Sequence, residues 1–412
     1  MESKIIWSTY TFMLLVLCSC AVFVYAAAYD ALDPNGNITI KWDVISWTPD
    51  GYVAVVTMNN FQMYRPIMRP GWTLGWTWAK YEVIWAMMGA QATNQGDCSM
   101  FKGNIPHSCE KKPEIVDLLP NTPYNQQIAN CCKGGVLASM GKDPSAALSA
   151  FQIAVGSAGT TNRTVQLPKN FTLLAPGGGY TCGPAKIIRP TLFITADGRR
   201  TTSAMMTWRV ICTYSQFLAS PSPTCCVSLS SFHNGSITPC PSCSCGCRNS
   251  SNCVMKTPSG KGVNVPKAVL RCTKHMCPIN VHWHVQSNFK NHWSVKVTIT
   301  NFNYRFNYTQ WTLVVQHPNL NNATQVSSFS YMPNLSTNDT ALFYGRRSYN
   351  DVLMQAGAKG NVHSDLTLEK DGKTIALKKG WPFPRRVYFN GNLCVMPSPK
   401  SYPYLPNSAG NK

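Results

Sequence analysis

Apolar and polar residues alternate along several short stretches of this chain. In Ile38-Thr-Ile-Lys-Trp42-Asp-Val44 and in Ile279-Asn-Val-His-Trp283-His-Val285 every second residue is apolar, which is the period of a strand with one buried face. Asn, Pro and Gly separate such runs, as turns between antiparallel strands require. Long helical patterns are missing. We therefore predict a mainly β protein with helix confined to short pieces such as residues 145–150.

These two runs belong to an internal repeat, in which Ile279 follows Ile38 by 241 positions. Val56-Thr-Met-Asn-Asn-Phe returns at Val297 with the same offset, and Trp72-Thr-Leu returns at Trp311 after 239 positions. Three matches in order at nearly one offset indicate two copies of one unit. We predict two immunoglobulin-like or cellulose-binding-type β-sandwiches, at residues 29–165 and 278–397, flanking a disulfide-rich segment at 166–277.

The N-terminus has the pattern of a secretory signal peptide. An apolar run from Thr11 to Val24 is too short for a typical membrane span, and Ala26-Ala-Ala28 fits a signal peptidase site. We predict a signal peptide at residues 1–28; an uncleaved N-terminal anchor is the alternative.

N-glycosylation signals agree with export, and export changes which partners the net positive charge indicates. The chain carries a net charge of +20 although only 13% of its residues are charged. In an exported protein this charge favours acidic polysaccharide or a membrane surface over nucleic acid. We therefore expect no nucleic-acid partner. The predicted N-glycosylation sites are Asn37, Asn162, Asn170, Asn234, Asn249, Asn307, Asn322, Asn334 and Asn338.

Cysteine is abundant, with 18 residues in the chain. The dense run from Cys240 to Cys253 would suggest zinc in a cytosolic protein, but export favours disulfides. Because the stretch from Cys182 to Cys277 holds an odd number, one bridge should leave it, and Cys394 is the natural partner. The disulfide candidates are Cys98, Cys109, Cys131, Cys132, Cys182, Cys212, Cys225, Cys226, Cys240, Cys243, Cys245, Cys247, Cys253, Cys272, Cys277 and Cys394.

Tryptophan is concentrated between Trp42 and Trp85, and one small core cannot easily bury so many indoles. Some of these indoles should be exposed, and flat exposed aromatic side chains commonly bind a sugar ring by stacking on it. In Trp72-Thr-Leu-Gly-Trp76-Thr-Trp78 the even positions share one face. We expect Trp72 and Trp76 to be core residues.

Part of this region resembles the cellulose-binding modules of bacterial family two. The resemblance rests on Trp47-x-x-x-Gly-Tyr, Gly71-Trp-Thr-Leu, Trp85 and Phe101-x-Gly-Asn-Ile-Pro, in that order. It implies that Trp47, Trp85 and Phe101 are the cellulose-binding aromatics. The chain departs from the pattern by Phe at position 101 and by a cysteine-bearing insertion. Asn288 stands at the position of Trp47 in the second copy, which is expected to have kept the scaffold and lost this face.

Longer motifs resemble the plant COBRA-like proteins. They are the stretch from Tyr29 to Ile40, Cys225-Cys-Val-Ser, Gly380-Trp-Pro-Phe-Pro-Arg-Arg, Tyr388-Phe-Asn-Gly and Cys394-Val-Met-Pro. The resemblance implies a non-catalytic extracellular glycoprotein of the cell wall. Such proteins act in cellulose deposition, microfibril assembly, cell wall biogenesis and oriented cell expansion.

Members of that family typically end in a hydrophobic tail that directs GPI anchoring, whereas residues 398–412 read as a flexible tail without one. We therefore expect a secreted wall protein. Attachment to the outer face of the plasma membrane by a GPI anchor is the alternative if the C-terminus is truncated.

Other chemistry is less well supported. His282 and His284 share one strand face, but a metal needs three or four converging ligands, so we expect no metal site and no cofactor. No pair of acids is marked for glycoside hydrolysis, although a polysaccharide-modifying enzyme and a wall glycoprotein interaction module remain alternatives. A basic cluster near the C-terminus is a possible second contact for acidic wall polysaccharide. It consists of Lys370, Lys373, Lys378, Lys379, Arg385 and Arg386.

Overall fold

A computed structural model of the protein describes most of the chain. The described residues are 30–195, 197–219, 223–240, 277–303, 306–320, 323–333, 339–346, 349–350, 352–353, 360–370 and 382–403. The predicted signal peptide, the end of the predicted tail and residues 241–276 of the predicted cysteine-rich segment lie outside these residues.

The first part of the chain forms strands that we call the N-terminal unit. They are β1 (Asn37–Thr48), β2 (Gly51–Asn60), β3 (Thr73–Thr77), β4 (Val83–Met88), β5 (Ala90–Ala92), β6 (Glu114–Asp117) and β7 (Leu148–Gly156). Further strands are β8 (Lys169–Leu174), β9 (Gly178–Cys182), β10 (Lys186–Ile188), β11 (Leu192–Ile194), β12 (Thr201–Ser203) and β13 (Met206–Ala219). A short 3-10 helix covers Tyr124–Gln126.

Two sheets of this unit share one hydrophobic core. A seven-stranded sheet has the order β10-β13-β1-β2-β7-β4 with β9 also on β13, and a four-stranded sheet has the order β5-β6-β3-β8. Trp42 of β1, Trp208 of β13 and Trp76 of β3 lie in the same buried cluster. The first sheet therefore continues well past residue 165, where the predicted first sandwich ends, because β13 pairs with β1 along its length.

The rest of the chain forms the C-terminal unit. Its strands are β14 (Cys225–Ser231), β15 (Asn234–Thr238), β16 (Ile279–Asn288), β17 (His292–Asn301), β18 (Tyr308–Thr309), β19 (Thr312–Gln316) and β20 (Ala323–Val326). They continue with β21 (Phe329–Pro333), β22 (Thr340–Gly345), β23 (Val352–Leu353), β24 (Asn361–Glu369), β25 (Arg386–Phe389) and β26 (Asn392–Leu393). A 3-10 helix at Pro399–Ser401 follows.

The main sheets of the C-terminal unit also enclose a core. A six-stranded sheet has the order β15-β14-β16-β17-β24-β20, and a five-stranded sheet has the order β21-β22-β19-β25-β26. Trp283 of β16 and Trp311 are fully buried between them. The predicted mainly β class is confirmed, while the sandwich type remains a prediction. The expected helix at 145–150 is wrong, because residues 148–150 begin β7, where they pair with β2.

The internal repeat corresponds to one hairpin formed twice. β1 pairs with β2, and β16 pairs with β17, in antiparallel register. The register shifts between Val44 and Ser46 in the first hairpin and between Val285 and Ser287 in the second, which are equivalent positions. The surroundings differ, since β1 has the antiparallel neighbour β13 and β16 has the parallel neighbour β14.

Disulfides pair most of the described cysteines. The bond between Cys225 and Cys394 leaves the cysteine-rich stretch, so the predicted role of Cys394 is confirmed. Cys131 and Cys132 are bonded to each other, and Cys277 is also disulfide-bonded. The remaining described pairs are Cys98–Cys109, Cys182–Cys212 and Cys226–Cys240. Candidates Cys243, Cys245, Cys247, Cys253 and Cys272 lie outside the described residues.

The two units meet at a buried arginine. Arg65 donates to the Asn392 side-chain oxygen at 2.7 Å and to the Gly391 carbonyl at 2.6 Å. Its guanidinium is 3.3 Å from the Asp30 carboxylate and lies 3.5 Å from the centroid of the Tyr214 ring. A small apolar cluster also joins the two units, formed by Leu32, Tyr64, Val314, Leu342 and Tyr388. Within the described residues, no helix is long and apolar enough to cross a membrane.

Candidate functional site

Trp85 is held at one end of the seven-stranded sheet by a β-bulge. The pairing of β4 with β7 shifts between Ile84 and Ala86, so Trp85 is the residue left outside the ladder. Bulges commonly re-aim a side chain in this way. The indole occupies the space beside Gly156, where an added Cβ would lie 1.9 Å from Trp85 Nε1. Glycine at 156 therefore makes room for the indole.

A hydrogen bond fixes the orientation of that indole. Trp85 Nε1 donates to Asp50 Oδ2 at 3.1 Å, and Asp50 lies in the turn between β1 and β2. The indole is half-buried, so one part of the ring is supported by the protein and another part faces solvent.

Phe101 lies beside Trp85 on a loop closed by the Cys98–Cys109 disulfide. The centroids of the two rings are 5.4 Å apart and their planes meet at 78°. The Phe101 backbone N–H donates to the Cys98 carbonyl at 2.9 Å, which makes a tight turn at the start of the loop. Met100 and Ile105 of the same loop are 76% and 63% exposed, so this end of the molecule presents several apolar side chains.

The far end of this loop is anchored to the sheets. Ser108 and Ile84 exchange backbone hydrogen bonds of 2.8 and 3.0 Å. The His107 Nε2 accepts the Ala92 N–H at 3.0 Å, and burial lowers the pKa of His107. The neutral imidazole is the form that can accept this hydrogen bond.

Trp47 lies in a different environment from the other two aromatics. The bulge after Val44 places it opposite Tyr52, which is buried. Their rings are 6.2 Å apart at 80°, and Trp47 packs half-buried against the core. The structure thus brings Trp85 and Phe101 into contact, and Trp47 is connected to them through the turn that carries Asp50.

The expected core residues occupy the interior. Trp72 and Trp76 are each 2% exposed. Trp76 contacts Trp42 edge to face at 5.1 Å, and Trp72 stacks on Phe151 at 6.1 Å. Most of the clustered indoles are therefore packed, which leaves Trp47 and Trp85 as the partly accessible ones of that group.

Sequence reasoning missed two residues of this site. Asp50 and Gly156 position Trp85. Asp50 follows Trp47 by three residues, so its nearness to that aromatic residue could have been predicted from the sequence. Its hydrogen bond to Trp85 could not, because that contact joins distant strands of the sheet.

The predicted glycosylation sites differ in accessibility. Asn162, Asn170 and Asn307 are exposed, and Asn37 is half-buried at the start of β1. Asn234 lies in β15. Asn249, Asn322, Asn334 and Asn338 lie outside the described residues.

The histidine pair on β16 is satisfied by serine hydroxyls. Ser228 and Ser230 contact the His282 ring nitrogens at 2.6 and 2.8 Å, and Ser230 also contacts His284 Nδ1 at 2.7 Å. Burial lowers the pKa of both histidines. In the described part of the chain no group of three or more metal-binding side chains converges.

The C-terminal basic cluster is only partly described. Lys370 donates to the Asn288 side chain and the Phe289 carbonyl, and its ammonium lies 4.0 Å from the centroid of the Trp293 ring. Arg385 is 3.5 Å from the Asp339 carboxylate, while Arg386 is exposed. Lys373, Lys378 and Lys379 lie outside the described residues.

Comparison with known proteins identifies the family. The model of the COBRA N-terminal domain matches residues 52–215, and that of the COBRA family C-terminal domain matches residues 224–261 and 255–403. COBRA-like protein 4 of Arabidopsis thaliana is 65% identical over 394 residues, covering 93% of this chain and 91% of that protein. Protein COBRA of the same plant is 62% identical over 411 residues, covering 96% and 90%. COBRA-like protein 3 of Oryza sativa subsp. japonica is 63% identical over 397 residues, covering 93% and 87%. The chain therefore belongs to the COBRA family.

Proposed function

We propose that this protein is a non-catalytic extracellular glycoprotein that binds cellulose. In this proposal it takes part in cellulose deposition and microfibril assembly, and through them in cell wall biogenesis and oriented cell expansion. The observation that carries the proposal is the half-exposed indole of Trp85, fixed by Asp50 and supported by Phe101 at one end of the N-terminal unit.

The ring geometry assigns different roles to the aromatic residues. Planes that meet at 78° cannot both lie flat on one sugar surface. We assign the stacking contact to Trp85, whose orientation is fixed before the glucan arrives. Phe101 supports that indole edge to face, an arrangement worth about 0.5–1.5 kcal/mol. Trp47 adds a contact on the other side of the Asp50 turn.

Preorganisation is what makes a few aromatic contacts useful. A ring that is already held in place loses little conformational freedom on binding, so more of its contact free energy appears as affinity. Repeated contacts along an insoluble glucan add further through multivalency.

The proposed location is the extracellular space of the cell wall. Disulfides persist in oxidising compartments, and each of the two units contains disulfides of its own. Attachment to the outer face of the plasma membrane by a GPI anchor is the alternative. Release of the protein from membranes by a phosphatidylinositol-specific phospholipase would support that alternative and contradict the secreted form.

A sedimentation assay on microcrystalline cellulose tests the proposal. The double variant Trp47→Ala with Trp85→Ala should remain in the supernatant, while wild type and the control Tyr349→Ala, which removes a 75% exposed ring of the C-terminal unit, should sediment. Sedimentation of the double variant with wild-type affinity contradicts the stacking role. Release of reducing ends from cellulose or xylan by the purified protein contradicts the non-catalytic role.

A further inference from the structure

The outer face of the six-stranded sheet carries a shallow, open cavity. Its volume is about 490 Å³, and it opens where β17, β24 and β20 lie side by side. The polar lining residues are Ser294, Gln325, Ser327, Asp365 and Thr367. The hydroxyl, amide and carboxylate groups in this cavity can donate and accept hydrogen bonds, so together they can bind several hydroxyl groups of one ligand.

A β-bulge builds a fixed hydrogen-bond network beside this cavity. The pairing of β16 with β17 shifts between Val285 and Ser287, leaving Gln286 outside the ladder. Gln286 Nε2 donates to Asp365 Oδ1 at 3.2 Å, and Gln286 Oε1 accepts from Ser294 Oγ at 2.9 Å. One side chain of β16 therefore orients groups on the next two strands of the sheet, β17 and β24.

An aromatic platform lies next to these polar groups. Phe289, in the turn after β16, is 49% exposed and stacks on His292 with centroids 4.5 Å apart at 24°. On β17 the partly buried Trp293 and the buried Val295 pack toward the core, so His292 and Ser294, which alternate with them, share the outer face of the sheet. Their partners across β24 are Glu369 and Thr367. Two residues along a strand advance about 7 Å, which places the platform at one end of the cavity.

From this juxtaposition we propose that the C-terminal unit binds a single neutral glycan chain in this cavity. Phe289, backed by His292, stacks against one sugar ring. Asp365, Ser294 and Thr367 hydrogen-bond the hydroxyls of the neighbouring sugars, with Gln286 holding Asp365 and Ser294 in place. The site is separate from the Trp85 site and does not depend on it.

The shape and charge of the face select this class of ligand. A shallow cavity on the sheet surface can take the side of one chain, whereas a flat crystalline surface would meet only the exposed Phe289 ring. Asp365 stands opposite Lys296 and Glu369 stands opposite His292 across the strands, so these four residues give the face no excess of positive charge. A neutral chain rich in hydroxyls fits this surface better than a polyuronate.

The position of this platform explains why the sequence did not reveal it. Asn288 occupies the place of Trp47 in the second hairpin, which suggested that the second copy had lost its sugar-binding face. The aromatic residue stands one position later, at Phe289. The bulge residue of the first hairpin is the apolar Ile45, whereas the second hairpin has Gln286 there.

Calorimetric titration of the full protein with cellohexaose tests the proposal. The experiment uses the double-variant background Trp47→Ala with Trp85→Ala, so that both proposed stacking indoles of the N-terminal unit are absent and binding reports on the C-terminal site. Phe289→Ala and Asp365→Ala should each lower the affinity at least fivefold. The matched control is Phe232→Ala, which removes a 44% exposed phenylalanine that also contacts a histidine ring, in the same unit. Its affinity should stay within twofold of the background.

Several results would overturn the proposal. They are the absence of cellohexaose binding in the background that lacks both Trp47 and Trp85, equal affinities for the Phe289 and Phe232 variants, or tighter binding of hexagalacturonate than of cellohexaose. Sedimentation on crystalline cellulose separates the two sites, because Phe289→Ala in the otherwise wild-type chain should leave it unchanged.

Discussion

Asn60 and Asn301 make the same hydrogen bonds at the ends of the two repeated hairpins. Asn60 Nδ2 donates to the Arg65 carbonyl at 2.9 Å, and Asn301 Nδ2 donates to the Phe306 carbonyl at 2.8 Å. Their side-chain oxygens accept the backbone N–H groups of Gln62 and Asn303, at 3.2 and 2.7 Å. Both asparagines are fully buried, so each hairpin ends in the same buried pair of asparagine hydrogen bonds.

Removing either asparagine should destabilise the protein. Asn60→Ala or Asn301→Ala leaves buried backbone groups without partners, at a cost of about 2–3 kcal/mol in the free energy of unfolding. Chemical denaturation measures this cost, with the exposed Asn94→Ala as a control that should stay within about 0.5 kcal/mol of wild type. If the Asn60 and Asn301 variants have the same free energy of unfolding as the control, these asparagine hydrogen bonds do not contribute to stability.

Filling the space at Gly156 should displace the Trp85 indole. In Gly156→Ala the new Cβ would stand 1.9 Å from Trp85 Nε1, so the ring must move and lose its bond to Asp50. We expect reduced cellulose binding and a shift in tryptophan fluorescence. Gly103→Ala is the matched control, because its Cβ would meet nothing within 4 Å. Wild-type cellulose binding by Gly156→Ala would show that the indole position is not needed.

Replacing Arg65 should uncouple the two units. Arg65→Gln removes the ion pair with Asp30 and leaves that partly buried carboxylate and the Gly391 carbonyl without the guanidinium. Leaving these groups without their partner should cost about 1–3 kcal/mol in the free energy of unfolding. Calorimetry should show a lower Tm and separate transitions for the two units, while the exposed Arg199→Gln should not. A single transition at the wild-type temperature would contradict the coupling role.

Acidification should weaken the anchor of the Cys98–Cys109 loop. Burial lowers the pKa of His107 from its ordinary value of 6.5, so the folded protein favours the neutral imidazole. The stability from this group is therefore present above about pH 6.5 and is lost as the pH falls through the folded-state pKa. His107→Gln should reduce the loss of stability on acidification, and the exposed His363→Gln should not. Identical pH profiles for wild type and His107→Gln would exclude this contribution.

The alternation of apolar and polar residues was sufficient to predict the two hairpins but not which strands lie beside them in the sheets. The match between Ile38 and Ile279 reflects local pattern, which a strand imposes on its own sequence. Which strand lies beside β1 or β16 depends on contacts between distant parts of the chain. For that reason the pairing of β13 with β1, beyond residue 165, did not follow from the sequence.

The candidate site was predictable as a set of residues but not as a geometry. Trp85 and Phe101 were identified by motif order, and the structure places them in contact. Their 78° angle and the space at Gly156 arise from the bulge in β4, which shifts the strand register without a distinctive sequence signal. A coplanar row could therefore not be assumed from the motif.

A binding isotherm of Trp85→Ala on microcrystalline cellulose tests the central claim most directly. Loss of one preorganised stacking contact, worth about 1–3 kcal/mol if it resembles base stacking, should weaken binding at least fivefold. Phe101→Ala should weaken it less, and Tyr349→Ala should leave it unchanged. If Trp85→Ala, folded as judged by its unfolding transition, binds cellulose as tightly as wild type, the central claim is wrong.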